Sequence, residues 1–299
     1  MAPALTVDSQ QESALETPSG KGAGDENFPV GSFLVARALR PQVASYYAFA
    51  RAIDDIADNP ALAPELKVAR LTRFAEAIHG AHDDDPALAK AHACREALLL
   101  RNVPLRHASD LTIAFIQDAR QSRYRDWEDL VGYCENSANP VGRFLLALHD
   151  TEDPAAYRAS DALCTALQVI NHLQDCGEDL RELDRCYLPQ DWMAREGTRT
   201  EDLTLKALTP GMRRVLDRCL DATETLLAEA RPLVVRLPSK RLALESATIY
   251  RLACRLTRAL RARDPLAERV AFGKSAMLGA AFGACCAVFL GTGEGGREA

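Results

Sequence analysis

Apolar positions recur along this chain at intervals of three and four, the spacing that lines one face of an α-helix. From about Phe28 onward such segments follow one another with short polar breaks. The pattern predicts helices over residues 41–58, 62–80, 86–99, 107–122, 140–149, 156–182, 209–232, 239–262 and 265–290. Pro60 stands just past the first of them, and His82-Asp83-Asp84-Asp85-Pro86 reads as a turn that starts a helix. No segment alternates at period two for long, so no strand is predicted. There is no internal repeat and no shift in composition that would mark a second domain. The expectation is an all-α, single-domain fold over residues 25–274, preceded by a disordered tail (1–24) rich in Ser, Gly, Pro and acids.

Residues 275–299 differ. The run 275–293 holds no charge, is long enough to cross a bilayer as a helix, and contains Gly279-x-x-x-Gly283. Its composition leaves two readings open, a buried terminal helix or a tail that dips into a membrane. The N-terminus shows no basic segment followed by an apolar run, so no signal peptide is visible.

Composition narrows the function. Of 299 residues, 47% are hydrophobic, enough for a large core, and the net charge of −6 argues against binding nucleic acid. The nine cysteines form no C-x-x-C pair and are odd in number, which points to reduced thiols in a cytoplasmic protein. His79-x-x-His82 with Asp83 is the one ligand-like histidine cluster, and it stands at a helix end before an acidic turn.

Two acidic clusters carry the chemistry. Asp54 and Asp58 are four apart, and so are Asp175 and Asp179, with Glu178 between. Chance gives about six such pairs in a chain of this composition, most of them on solvated faces. These two instead extend apolar helices (ASYYAFARAI and ALCTALQVINHL), where repelling like charges are costly unless a cation sits between them. Facing helices that share magnesium would resolve the cost, because magnesium accepts one or two carboxylates and completes its shell with water and phosphate oxygens. Arg51, Arg120, Arg123, Arg181 and Arg185 lie near the acids and suit a diphosphate whose charge grows as it leaves carbon. Tyr46, Tyr47, Phe49, Tyr133, Phe144 and Tyr250 could line a cavity whose aromatic faces stabilise a cation.

In order along the chain these residues resemble the squalene/phytoene synthase family, over about residues 26–275. The first motif is Tyr47-x-x-x-Arg51-x-x-Asp54-Asp55-x-x-Asp58. Asp118, Tyr133-Cys134 and Ala138-x-x-Val141-Gly142 follow. Then come Gln168-x-x-Asn171-x-x-x-Asp175-x-x-Glu178-Asp179 and Arg185-x-Tyr187-Leu188-Pro189. The resemblance implies an isoprenoid synthase fold with a central cavity. It implies two or three magnesium ions held by Asp54, Asp58, Asp175 and Asp179, with Arg51, Arg185 and Tyr187 on the diphosphate side. Tyr133 becomes the candidate for proton handling or cation stabilisation. Tyr47, Asp118, Gln168, Asn171 and Tyr250 become substrate-side groups.

Further details resemble one branch of that family, the hydroxysqualene-forming enzymes of hopanoid pathways: Glu26-Asn27-Phe28-Pro29-Val30, Ser137 to Gly142, and Asn171 to Cys176. Members that condense two prenyl diphosphates usually carry Ala-Gly in place of Ala138-Asn139, and Arg in place of Gln174. The branch implies that presqualene diphosphate is ionised, rearranged and quenched by water. No Gly-x-Gly-x-x-Gly follows a strand, so no NADPH is expected and water is the available terminator. Asn139 and Gln174, polar where relatives differ, are the candidates to position that water. The competing readings are head-to-head condensation on the same fold and a catalytically silent assembly factor. Lipid substrates imply peripheral contact with the cytoplasmic membrane face and with other enzymes of the pathway.

Overall fold

The computed structural model describes residues 35–271. The expected N-terminal tail, the Glu26 to Val30 segment and the apolar run at 275–293 lie outside the described residues.

Helix α1 (Arg40–Asp58) carries Tyr46, Phe49, Ile53 and Ile56 on its buried face. With α2 (Pro64–Ile78), α3 (Ala89–Leu99) and α4 (Arg106–Asp118) it encloses one apolar cluster, in which Phe49, Phe74 and Leu88 are fully buried. As expected, the Asp85-Pro86 turn starts a helix: the Asp85 carboxylate accepts from the Ala87 N–H at 2.9 Å. A second cluster is built on α7 (Pro154–Gln174), α10 (Pro210–Ala230) and α12 (Lys240–Ala262). Each of these helices starts on a side chain that accepts a backbone N–H: Asp153, Thr209 and Ser239. Helix α6 (Asn139–Leu148) joins the two clusters, since Phe144 and Leu148 pack into the first and Leu146 into the second.

Several elements differ from the sequence expectation. Helix α5 (Trp127–Ser137) is additional, with the Asp126 carboxylate accepting from the Asp129 N–H at 2.8 Å. The single helix expected over 156–182 breaks at Asp175, where φ −104° and ψ 9° leave the helical well, and α8 (Cys176–Leu183) follows as a separate helix. The short helices α9 (Gln190–Arg195) and α11 (Leu233–Arg236) complete the set. Two short strands are present where none was expected. In parallel register, β1 (Arg123–Tyr124) pairs with β2 (Cys186–Pro189), too briefly to show an alternating pattern. The pairing fixes Arg185 and Tyr187 against the end of α4. The helix expected over 265–290 is absent from its described part. The Asp264 carboxylate accepts from the N–H groups of Leu208 at 2.8 Å and Leu266 at 2.9 Å, which holds residues 264–267 in a turn. Among the described residues no helix is long and apolar enough to cross a membrane.

Candidate active site

Between the two apolar clusters lies a cavity of about 510 Å³. Helix α7 supplies Ser160, Leu163, Cys164, Leu167, Gln168 and His172 to its wall, one helical face that runs for about 18 Å at 1.5 Å per residue. Tyr46, Phe115, Phe144 and Ile249 add apolar and aromatic surface. Tyr46 and Phe144 stack with ring centroids 4.0 Å apart. Polar groups gather at one end: Arg51, Asp54, Asp58, Asp118, Asp179 and Arg185.

Asp54 and Asp58 project from the last turns of α1 on one face, as their spacing predicts, and both reach the cavity. Arg51 holds Asp54 and the buried Asp55, each at 2.9 Å. Arg185 is buried and donates to Asp58 Oδ1 at 2.7 Å and to the Ala57 carbonyl at 3.2 Å. The same carbonyl accepts from Lys67 Nζ at 2.6 Å. Two cations therefore meet the carbonyl end of α1, where the helix dipole favours them. Lys67 was not singled out in the sequence.

Asp118 lies at the centre of a second group. Tyr133 Oη donates to its carboxylate at 2.8 Å and Tyr187 Oη at 3.3 Å. Burial pushes the Asp118 carboxyl up to about 6, against the pull of the Arg185 guanidinium and the Tyr133 hydrogen bond. Burial, followed by the Asp118 charge, raises both phenols well above their ordinary range. Tyr133 and Tyr187 are thus donors and dipoles rather than bases. Burial alone would weaken Arg185 as a cation, but Asp118, Tyr187 and Asp58 outweigh it and keep the guanidinium charged. His172 stacks on Tyr187 with centroids 3.5 Å apart, and its Nδ1 lies 3.8 Å from the Asp179 carboxylate. Gln168 reaches His172 Nε2 at 3.1 Å. His172 stands inside the second motif, but only its tertiary stacking reveals a place in the site.

The break at Asp175 separates the second acid pair. Asp179 lines the cavity and Asp175 does not. Burial, then the charges of Asp179 and Glu178, push the Asp175 carboxyl up to about 6. Four more expected site residues stand off the cavity wall. Asn139 accepts from Thr165 Oγ1 at 3.0 Å, tying α6 to α7. The buried Gln174 donates its amide to the Val270 carbonyl. Asn171 Oδ1 is buried without a hydrogen-bond partner among the described residues. Tyr250 packs against the second apolar cluster on α12. The placement of Asn139 and Gln174 does not match a direct role in holding water at a reacting carbon. Tyr47 and Gln168 do line the cavity. Glu245, on the same α12 face as Leu242 and Ile249, is a buried acid of the cavity wall that the helical pattern did not single out. Arg123 instead engages Asp184 at 2.6 Å. His82 pairs with Glu76 at 2.7 Å, and no group of three or more acids, histidines or cysteines among the described residues forms a ready metal cluster.

The sequence model of the family described as Squalene/phytoene synthase matches residues 22–275. A hydroxysqualene synthase of Rhodopseudomonas palustris is 42% identical over 91% of this chain and 92% of its own length. A hydroxysqualene synthase of Zymomonas mobilis is 40% identical over 88% of each chain. Among solved structures, the squalene synthase HpnC from Alicyclobacillus acidocaldarius aligns with a TM-score of 0.71 at 34% identity. That alignment covers 80% of this chain and 90% of the other.

Proposed function

We propose, starting from the fact that the chain belongs to the squalene/phytoene synthase family, that this enzyme converts presqualene diphosphate and water to hydroxysqualene and diphosphate. The observation that carries the reading is the cavity itself. Acids from two distant motifs and two arginines crowd one end of a chamber whose remaining wall is mostly apolar and aromatic, with Glu245 as a further acid. Such a chamber suits a long prenyl chain with a charged head. The relatives that carry the hydroxysqualene synthase name direct the choice among prenyl diphosphates.

The donor set fits magnesium. Asp54, Asp58 and Asp179 offer hard oxygen ligands at one end of the cavity, and Asp175 stands close enough to Asp179 and Glu178 for their charges to raise its carboxyl. Those four aspartates would hold the metal, with water and diphosphate oxygens completing its shell. Bound there, magnesium would neutralise charge on the departing diphosphate.

The chain's own groups account for the rest. Arg51 and Arg185 bind the diphosphate by exchanging their carboxylate partners for phosphate oxygens. The carbon–oxygen bond breaks and the diphosphate leaves with the electron pair. The cyclopropylcarbinyl cation that remains rearranges beside the rings of Tyr46, Phe144 and Tyr187, which line the cavity. Tyr133 and Tyr187 hold Asp118 in place and present their dipoles to the charged end. Capture by water follows rearrangement in this scheme, because the apolar and aromatic part of the wall surrounds the hydrocarbon of the cation. Water then forms the new carbon–oxygen bond and releases one proton to solvent or diphosphate. The test is product analysis by mass spectrometry, with magnesium and without NADPH. Presqualene diphosphate should give the alcohol. Turnover of farnesyl diphosphate instead would assign the chain to condensation, and silence of a folded protein would assign it to an assembly role.

A further inference from the structure

One ion pair and one hydrogen bond, made by the segments flanking α12, fix how it lies on α7. Arg236 pairs with Asp153, the residue that starts α7, at 3.0 Å. At the other end, Gln174 closes α7 on the Val270 carbonyl, beyond the end of α12. The two helices therefore run in the same direction. Leu233 and Leu242 then line the cavity at its far end, away from Asp54, Asp58 and Asp179.

The chain between those two leucines forms the outer wall of that end. Leu233 and Leu237 face inward, while Val235, Arg236, Pro238, Lys240 and Arg241 face solvent. Val235 is 81% exposed. Residues 231–241 contain Arg231, Arg236, Lys240 and Arg241 and no acid, in a chain whose net charge is −6. Arg236 is held by Asp153, which leaves Lys240 and Arg241 beside the exposed Val235, a basic and apolar patch that locally reverses the charge of an acidic protein. It complements an anionic lipid surface, which attracts basic residues and accepts an apolar one below its headgroups.

We propose that residues 231–241 dock this protein on an anionic lipid bilayer, and that prenyl lipids pass between bilayer and cavity beside Leu233 and Leu242. The passage of lipid rests on the function proposed above; the docking does not. Attachment of this kind is peripheral and weakens with salt. Each basic residue near such a surface contributes about fivefold in partition.

The experiment uses the full-length protein and vesicles of equal parts phosphatidylcholine and phosphatidylglycerol, with pure phosphatidylcholine vesicles as control. Lys240→Glu with Arg241→Glu reverses two charges in the first turn of α12, where acids are compatible with the helix dipole. Val235→Asp removes the exposed apolar group. Wild type should sediment with the mixed vesicles in low salt and not with the neutral ones. The double variant should bind at least about twentyfold more weakly, and Val235→Asp should also lose affinity. Both variants should turn over detergent-dispersed presqualene diphosphate as wild type does. Failure of wild type to bind the mixed vesicles, or equal binding by wild type and the double variant, would overturn the proposal. Vesicle binding without turnover in detergent would instead count against the reaction and leave the docking surface standing.

Discussion

Arg185 and Asp58 form a 2.7 Å ion pair between segments 127 residues apart. The pair joins the end of the first acid motif to the segment that follows the second. It also adjoins Asp118, so one guanidinium serves both polar groups of the site. Arg185→Ala should therefore lose both stability and turnover. Asp58 is still 35% exposed, so the stability loss should be about 2–3 kcal/mol, below that of a fully buried pair. Turnover should fall at least about a hundredfold if the arginine also binds diphosphate. Chemical denaturation and steady-state kinetics measure the two effects separately.

Asp175→Asn should separate stability from activity in the opposite sense. In the folded protein the Asp175 pKa lies above its unfolded value, so the ionised group is destabilising at neutral pH. The neutral amide removes that cost and should stabilise the metal-free protein by about 1 kcal/mol. The same change should abolish most magnesium-dependent turnover. Thermal melts with and without magnesium diphosphate should show a shift for wild type and a smaller one for the variant.

Close approach of α6 and α7 rests on Gly142. An added Cβ there would lie 2.4 Å from Ser160 Oγ and 2.7 Å from Cys164 Sγ. Ser160 and Cys164 would have to rotate away or α6 and α7 to part, beside the cavity that all three residues line. Gly142→Ala should cost about 1–3 kcal/mol and raise KM for the prenyl substrate more than it lowers kcat.

His107 gives a pH signature away from the acids. Burial, helped by Arg106 and Arg143, lowers it to about 4. The unfolded chain thus binds one more proton between about pH 4 and pH 6.5. Its contribution to stability is complete above pH 6.5 and is lost as pH falls toward 4. The slope from this residue approaches about 1.4 kcal/mol per pH unit within that window. His107→Gln should remove this positive slope, read by urea titration as the difference between variant and wild type across the same range, because Asp118 and Asp175 contribute slopes of the opposite sign there.

The sequence carried most of the helices because their apolar faces repeat regularly, and it carried Asp54 and Asp58 because helical spacing alone puts both on one face. It did not carry the break at Asp175. At that break the chain leaves the helical well between the two acids, and Asp179 but not Asp175 is on the cavity wall. The same tertiary origin hides Lys67, which meets Arg185 at a shared carbonyl, and His172, whose stacking on Tyr187 depends on a strand pair only a few residues long. Gln174 and Asn139 were conspicuous as departures from relatives, yet their side chains serve Val270 and Thr165. A departure in sequence identifies a difference between branches without saying which way the side chain faces.

The most direct test is a paired incubation of purified protein with magnesium and no reductant. Presqualene diphosphate goes into one reaction and farnesyl diphosphate into the other, and oxygen-18 water is present in both. Hydroxysqualene that carries one oxygen-18 from the first reaction, with no product from the second, is the predicted result. Presqualene diphosphate formed from farnesyl diphosphate, or an alcohol without label, would contradict the account.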